Sequence, residues 1–356
     1  MEALRLKHVR ESLVDRGLDA LLVTNSFNRR YLTGFTGSAG YVVITKDRAV
    51  LFTDFRYIRQ APEQTKEYQV IQHALKAIES IHEWLESEQV KKLGFEQNDV
   101  SFSAYAAYQE QFAGIEMVPT KEIVEHVRAY KDQKELDAIR KAVDITEQAF
   151  DRILKIMKPG MTELEVAAEL EYLIRKNGAP SSAYNTIVAS GERSALPHGL
   201  ASDKKLGTNE FVTLDFGALY NGYCSDLTRT VFIGKPTEQQ RDIYNIVLEA
   251  NLTTLAGIKP GMSGKEVDSL GRDVIAKYGY AENFGHGLGH GFGLEIHEPL
   301  RLAQASKDIL RPGMVLTVEP GIYIPGFGGV RIEDDILITD TGIEVLTKSD
   351  KSLILL

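Results

Sequence analysis

KPGMTELEVAAELEYLIRKNGA, residues 158–179, returns downstream as KPGMSGKEVDSLGRDVIAKYGYA, residues 259–281. In each copy a helical stretch runs into a Pro-Gly turn, Thr162 or Ser263 stands where the next helix needs a cap, and a glycine ends that helix. Each copy therefore reads as helix, turn, helix, and the second half of the chain as an α+β unit with an internal pseudo-twofold. The segments after the helices are duplicated as well. FVTLDFGALYNGYCSDLTRTVFIG (211–234) and MVLTVEPGIYIPGFGGVRIEDDILIT (314–339) are apolar runs broken by Gly-rich turn sequence, the pattern of one β-hairpin per copy.

The acids fall at matched places in these hairpins: Asp215 with Glu319 in the first strand (TLD against TVE), and Asp226 with Glu333 in the second. A lone Asp in a strand belongs on a solvated face, but Asp215 and Glu319 sit inside the apolar runs VTLDFG and VLTVEPG. Several carboxylates buried together demand raised pKa values or a bound cation. Two facing hairpins that each present two acids match the charge of two divalent ions, between which water becomes a nucleophile at neutral pH. One imidazole added to such an oxygen-rich set suits Mn²⁺, Co²⁺ or Fe²⁺ better than structural zinc.

GHGLGHGFGLEIHE (285–298) supplies candidate imidazoles. On a helix, His286, His290 and His297 would share a face, but five glycines in nine residues would cost that helix roughly 4–5 kcal/mol relative to alanine. The stretch is extended chain or loop, with glycines on one face and His286, Leu288, His290 and Phe292 on the other. Together with His198 in SALPHG these are the histidines of the second half, and spacing alone does not choose the ligand among them.

Residues 1 to about 120 alternate differently: an opening helix, ALLVTN, YVVIT, AVLFTD, YQVIQH, an amphipathic IESIHEWLES, KKLGFE and a helix around SAYAAYQEQF. This is a compact α/β domain with a helix-covered sheet. The charged helical segment KEIVEHVRAYKDQKELDAIRKA (121–142) holds the junction, which divides the chain into domains 1–127 and 128–356. A chain of 356 residues, 43% hydrophobic, is long enough for two such cores. Net charge −9 without long single-sign runs gives no footprint for nucleic acid or an anionic membrane. MEALRLKHVRESLVDRG lacks the apolar core of a signal peptide, and no segment approaches a membrane span. With the lone Cys224, the expected location is the cytoplasm.

SALPHG (194–199), TLDFGALYNGYCSDLTRT (213–230), GHGLGHGFGLEIHE (285–298) and VLTVEPGIYIPGFGGVRIEDD (315–335) resemble the motifs of the pita-bread metallopeptidases, specifically the Xaa-Pro dipeptidases (prolidases) and aminopeptidases P. They cover essentially the whole second domain. YLTGFTGSAGYVVIT (31–45) and LFTDFRY (51–57) are similar to that family's creatinase-type N-terminal domain. The resemblance implies metal ligands Asp215, Asp226, His290, Glu319 and Glu333, with Asp226 and Glu333 bridging two ions, Asp215 completing one set, and His290 with Glu319 the other. It implies Glu319 as general base and His286, His297 and His198 as histidines that contact substrate or stabilise the tetrahedral intermediate. It also implies that Arg331 hydrogen-bonds the site acids and that the protein is a homodimer, while the donor set itself makes Mn²⁺ the expected metal, with Co²⁺, Fe²⁺ or Zn²⁺ as alternatives.

The implied reaction is attack by an activated water on the carbonyl before proline, with His297 holding the developing oxyanion. The imide nitrogen of Xaa-Pro carries no N–H, so a site built for secondary amides handles it poorly. Arg301 in HEPLRLAQ stands where prolidases place an arginine for the substrate's terminal carboxylate, which points to proline-containing dipeptides. The alternatives are an aminopeptidase P acting on longer Xaa-Pro peptides, and a non-catalytic binding protein on the same fold.

Overall fold

A computed structural model describes residues 2–356. Its contacts divide the chain into one unit ending at Arg128 and a second, Ala129–Leu356. The first unit runs α1 (Glu2–Asp15), β1 (Ala20–Val23), α2 (Ser26–Thr33), β2 (Tyr41–Thr45), β3 (Ala49–Thr53), α3 (Gln60–Gln64), β4 (Gln69–Gln72), α4 (Ala77–Ser87), β5 (Lys92–Glu96), α5 (Phe102–Gln111), β6 (Glu116–Thr120) and α6 (Ile123–Arg128). Its strands form one mixed sheet in the order β4-β3-β2-β1-β5-β6. Every residue of ALLV and AVLFT is buried, which is why both read as unbroken apolar runs rather than alternating ones.

Three elements of this unit were not expected from the sequence: α2, the short α3 and β6. Helix α2 is capped by Asn25, whose side chain accepts from the Phe27 and Asn28 amides, and is closed by Gly34 in the left-handed region. Strand β6 contains Pro119 and lies at the sheet edge, where a missing amide costs no ladder bond. The charged run 121–142 is not one helix: α6 stops at Arg128, and a capping box of Asp132 with Glu135 starts α7 (Gln133–Ile153).

In the second unit α7 leads to α8 (Glu163–Lys176), β7 (Ser181–Ser182), β8 (Ile187–Ser190), β9 (Glu210–Phe216), β10 (Ala218–Tyr220), β11 (Tyr223–Cys224) and β12 (Leu227–Ile233). Then come α9 (Glu238–Gly257), α10 (Gly264–Lys277), β13 (Gly289–Gly291), β14 (Glu298–Leu302), β15 (Val315–Val318), β16 (Gly321–Ile324), β17 (Gly328–Arg331), β18 (Asp334–Ile338) and β19 (Ile343–Val345). The duplication holds down to single hydrogen bonds. Thr162 and Ser263 form capping boxes with Glu165 and Glu266. The amides of Gly160 and Gly261 donate at 2.8 Å to the carbonyls of Leu206 and Leu310.

Each copy ends in a long antiparallel ladder, β9 with β12 and β15 with β18, that narrows to a tip hairpin, β10 with β11 and β16 with β17. The helices cover their own ladder. Ile145, Phe150, Leu170 and Ile174 pack with Val212, Leu214 and Val231, and Ile243, Val247, Val267 and Ile275 pack with Leu316, Val330 and Ile336. The copies are joined where the Thr230 hydroxyl donates to the Arg331 carbonyl and accepts from the Arg331 amide, both at 3.0 Å. This is the pita-bread arrangement, preceded in the chain by a creatinase-type N-terminal domain. Among the described residues no helix is long and apolar enough to cross a membrane.

Candidate metal and catalytic site

The ladders bring their acids to the line where the copies meet. Asp215 lies in β9, opposite Thr228 of β12, and Asp226 immediately precedes β12. In the second copy Glu319 comes directly after β15, and Glu333 sits between β17 and β18. One oxygen each from Asp215, Asp226 and Glu333 lies within 4.8 Å of the others. His290 enters on β13, held by its amide on the Thr317 hydroxyl at 3.0 Å. Glycine is required beside it, because a Cβ at Gly289 would stand 2.0 Å from the Thr317 carbonyl oxygen.

The histidines of 285–298 take different places. His290 directs Nε2 at Glu319 Oε1 (3.5 Å) and Asp226 Oδ2 (3.7 Å), while Nδ1 meets the Gly291 carbonyl at 3.1 Å. The Nδ1 proton is thus committed, and a lone pair faces the carboxylates. Burial, then the neighbouring His297, lowers the His290 pKa to about 3. His286 stands behind the acids. Its Nε2 is 2.8 Å from the Tyr323 hydroxyl, which accepts from Arg331 Nη1 at 2.9 Å, and its Nδ1 is 2.7 Å from the Gly287 carbonyl. Tyr323 therefore donates to Nε2 and His286 is the neutral Nδ1–H tautomer, in line with a pKa lowered to about 4 chiefly by burial. His297 is exposed at the mouth, with its ring 4.4 Å from that of His290.

Arg331 ties the acids together. Its Nη2 donates to Asp215 at 2.5 Å and its Nε to the Thr228 hydroxyl at 3.1 Å, and Thr228 in turn donates to Glu333 at 2.5 Å. One guanidinium cannot neutralise four carboxylates. Burial, then the charge of Asp215, holds the Asp226 carboxyl well above its ordinary range, and burial, then Asp226, does the same for Glu333. Glu319 is raised to about 7, by burial first and by Asp215 against the pull of Arg331.

The donor set fits divalent cations. Tyr184 places one hydroxyl against both Asp215, at 2.7 Å, and Asp226, and one proton cannot serve both oxygens. With the lone pair of His290 also aimed at oxygens, acceptors outnumber donors in a buried space, a balance that positive charge restores.

Every site residue named from the sequence lines one pocket of about 540 Å³: His198, Asp215, Asp226, His286, His290, His297, Arg301, Glu319, Arg331 and Glu333, beside Tyr184, Ile187, Pro197 and Ile296. His198 and Arg301 are exposed at its rim. Arg301 lies on β14 opposite His290, beyond a bulge in which Leu300 adopts φ 98°. Its Nη1 donates to the carbonyls of Glu298 and Leu300 at 2.6 and 3.0 Å. Sequence reasoning missed Tyr184, Tyr323, Thr228 and Thr317, single polar residues in apolar or turn stretches, of which Thr317 alone has a clear repeat partner, Thr213 of TLD.

A model of metallopeptidase family M24 matches residues 137–340, and one of the creatinase/prolidase N-terminal domain matches residues 5–130. The chain is 40% identical over 351 residues to an Xaa-Pro dipeptidase of Pyrococcus furiosus, covering 98% of this chain and 99% of that one. Among solved structures it is similar to an Xaa-Pro dipeptidase from Bacillus anthracis, at 50% identity, TM-score 0.99 and full coverage of both chains. It is also similar to an X-Pro aminopeptidase from Thermotoga maritima, at 39% identity and TM-score 0.90, covering 96% of this chain and 98% of that one.

Proposed function

The chain belongs to metallopeptidase family M24, and from that premise we propose that it hydrolyses the Xaa-Pro bond of dipeptides. The observation that carries the dipeptide reading is the place of Arg301: a guanidinium across the strand register from His290, on the rim of the pocket that holds the acids. Its Nη1 is engaged on its own strand, which leaves Nε and Nη2 to meet a terminal carboxylate.

The family uses divalent metal. Here Asp215, Asp226 and Glu333 would hold one ion, and Asp226, Glu333, His290 and Glu319 a second, with Mn²⁺ the best match to one imidazole among carboxylates and Co²⁺, Fe²⁺ or Zn²⁺ as alternatives. Such a pair, when bound, lowers the pKa of water in the site and polarises the scissile carbonyl. Glu319, whose carboxyl is already displaced toward neutrality, accepts the proton of the attacking water and returns it to the proline nitrogen as it leaves. His297, its pKa lowered by burial and Arg301, is neutral and donates its N–H to the oxyanion. His198 lines the same pocket and contacts the peptide from its own rim loop. His286 and Tyr323 keep Arg331 on Asp215, fixing the ligand geometry. Ile187, Pro197 and Ile296 offer apolar surface to the proline ring, and the acids attract the free α-amine.

The same reading has the protein acting as a cytoplasmic homodimer. Exposed Phe55 and Ile58 on the first unit support an assembly surface, and the single, buried Cys224 suits a reducing compartment.

A second reading, aminopeptidase P, is favoured by the exposure of Arg301, which leaves a path past it for a longer chain. Assay of Ala-Pro beside Ala-Pro-Ala with Mn²⁺ or Co²⁺ decides between them: the dipeptide reading expects rapid cleavage of Ala-Pro, and cleavage of the tripeptide alone would replace it by the second reading.

A further inference from the structure

Outside the pocket, at the first position of α8, Glu163 is fully buried. Its carboxylate accepts from the Ser190 amide and hydroxyl, both at 2.8 Å, from the Ser202 amide and hydroxyl at 3.1 and 2.6 Å, and from Arg193 Nε at 3.0 Å. Ser190 and Ser202 are the two ends of the loop that carries His198. Arg193, near the start of that loop, extends the clamp across it by donating to the Leu200 carbonyl, two residues after His198, at 2.6 Å. One carboxylate thus closes the loop at both ends, with Arg193 tying the two sides together.

The repeat supplies an internal control. ASDKKL (201–206) corresponds to ASKDIL (305–310). In each copy the serine hydroxyl accepts from the amide two residues on, Lys204 or Asp308, at 3.2 Å. The carbonyls of Lys204 and Asp308 in turn accept from the first helical amide, Glu163 or Gly264, at 3.0 and 2.8 Å. The second copy starts its helix with glycine, so the helix start itself needs no carboxylate. There the clamp has moved to Asp308, which accepts from the Arg301 amide at 2.9 Å and the Ser306 hydroxyl at 3.2 Å. Gly264 is obligatory in this arrangement, since a Cβ would stand 2.1 Å from the Arg301 carbonyl oxygen.

We propose that Glu163 is a positioning residue that sets His198 at the pocket, and that Asp308 is its repeat-related counterpart for Arg301. Neither touches substrate. Each fixes the backbone of one rim loop through hydrogen bonds to a charged acceptor, the strong kind, and a rim residue misplaced by about 1 Å costs turnover. The inference rests on the reading of His198 and Arg301 as residues that contact the peptide.

The test is a pair of crossed double-mutant cycles on the metal-loaded enzyme with Ala-Pro. Glu163→Gln should lower kcat/KM by on the order of tenfold, add nothing to His198→Ala, and multiply with Arg301→Ala. Asp308→Asn should show the opposite pattern, with Glu163→Asp partly restoring the first. Losses that multiply in every pairing would overturn the proposal. If Glu163→Gln fails to fold, Ser202→Ala takes its place in the same cycle and is judged by the same outcomes. A crystal structure of the folded variant checks the inference without reference to activity. It should show residues 191–201 displaced with α8 intact, and an unmoved loop would contradict the proposal even if Ala-Pro is a good substrate. Absence of wild-type hydrolysis would instead fault the functional reading.

Discussion

His290 Nε2 stands 3.5 Å from Glu319 Oε1 while its Nδ1 is engaged by the Gly291 carbonyl. A lone pair therefore faces an acceptor, and a cation between them converts repulsion into binding. His290→Ala should leave a folded protein that holds about one divalent ion where the wild type holds about two, with kcat reduced by on the order of a hundredfold or more. Elemental analysis with circular dichroism checks this, and full metal content in the variant would remove His290 from the ligand set.

Removing metal should destabilise the protein, because Asp215, Asp226 and Glu333 then repel one another. A ligand present at a hundred times its Kd stabilises by about 2.7 kcal/mol, so chelation should lower Tm by several degrees and Mn²⁺ should restore it. An unchanged Tm after verified metal removal would contradict the assignment.

The pH dependence of the metal-free form has a definite sign. Glu319 titrates at about 7 in the folded protein against an ordinary 4.5, so over that interval the native state binds the extra proton. Its stability falls as pH rises. His290 and His286, lowered to about 3 and 4, act oppositely, with stability lost as pH falls through 6.5, and do so alike in the metal-free and metal-loaded forms. Between about pH 5 and 7 the metal-free Tm should therefore fall relative to the metal-loaded Tm. Buried Glu96 of the first unit, also raised to about 7, contributes equally to both forms, so the difference isolates the site. Parallel curves would mean that Glu319 is not coupled to the metal.

Arg301→Ala should raise KM for Ala-Pro roughly 10- to 100-fold, the worth of a charge-assisted hydrogen bond, and leave the C-terminally amidated dipeptide unchanged. Equal losses on acid and amide would remove the carboxylate role.

Tyr184→Phe should lower kcat more than it raises KM. The hydroxyl on Asp215 and Asp226 orients ligands rather than substrate, as partners behind a metal site do. A pure KM effect would place Tyr184 on the peptide instead.

Much of this was legible in the chain because its signals are local or duplicated. The Pro-Gly turns, the caps at Thr162 and Ser263 and the matched acids appear twice, and a pattern seen twice outweighs the solvated-face reading of each acid alone. Helix α2 was legible too, in Asn25 before it and Gly34 after it, but no apolar periodicity drew attention to those caps. Which histidine binds metal was not contained in spacing, since it depends on where β13 docks against β15 and, through β14, on residues it meets across the sheet. Tyr184 reaches acids 31 and 42 positions away and is visible only after folding.

The most direct measurement is the rate of Ala-Pro hydrolysis by the Mn²⁺-loaded protein, set beside Ala-Pro-Ala and beside the Glu319→Gln variant. The account predicts that Ala-Pro is cleaved much faster than the tripeptide and that the folded variant is nearly inert. Cleavage of the tripeptide alone, or wild-type rates without the Glu319 carboxylate, would contradict it.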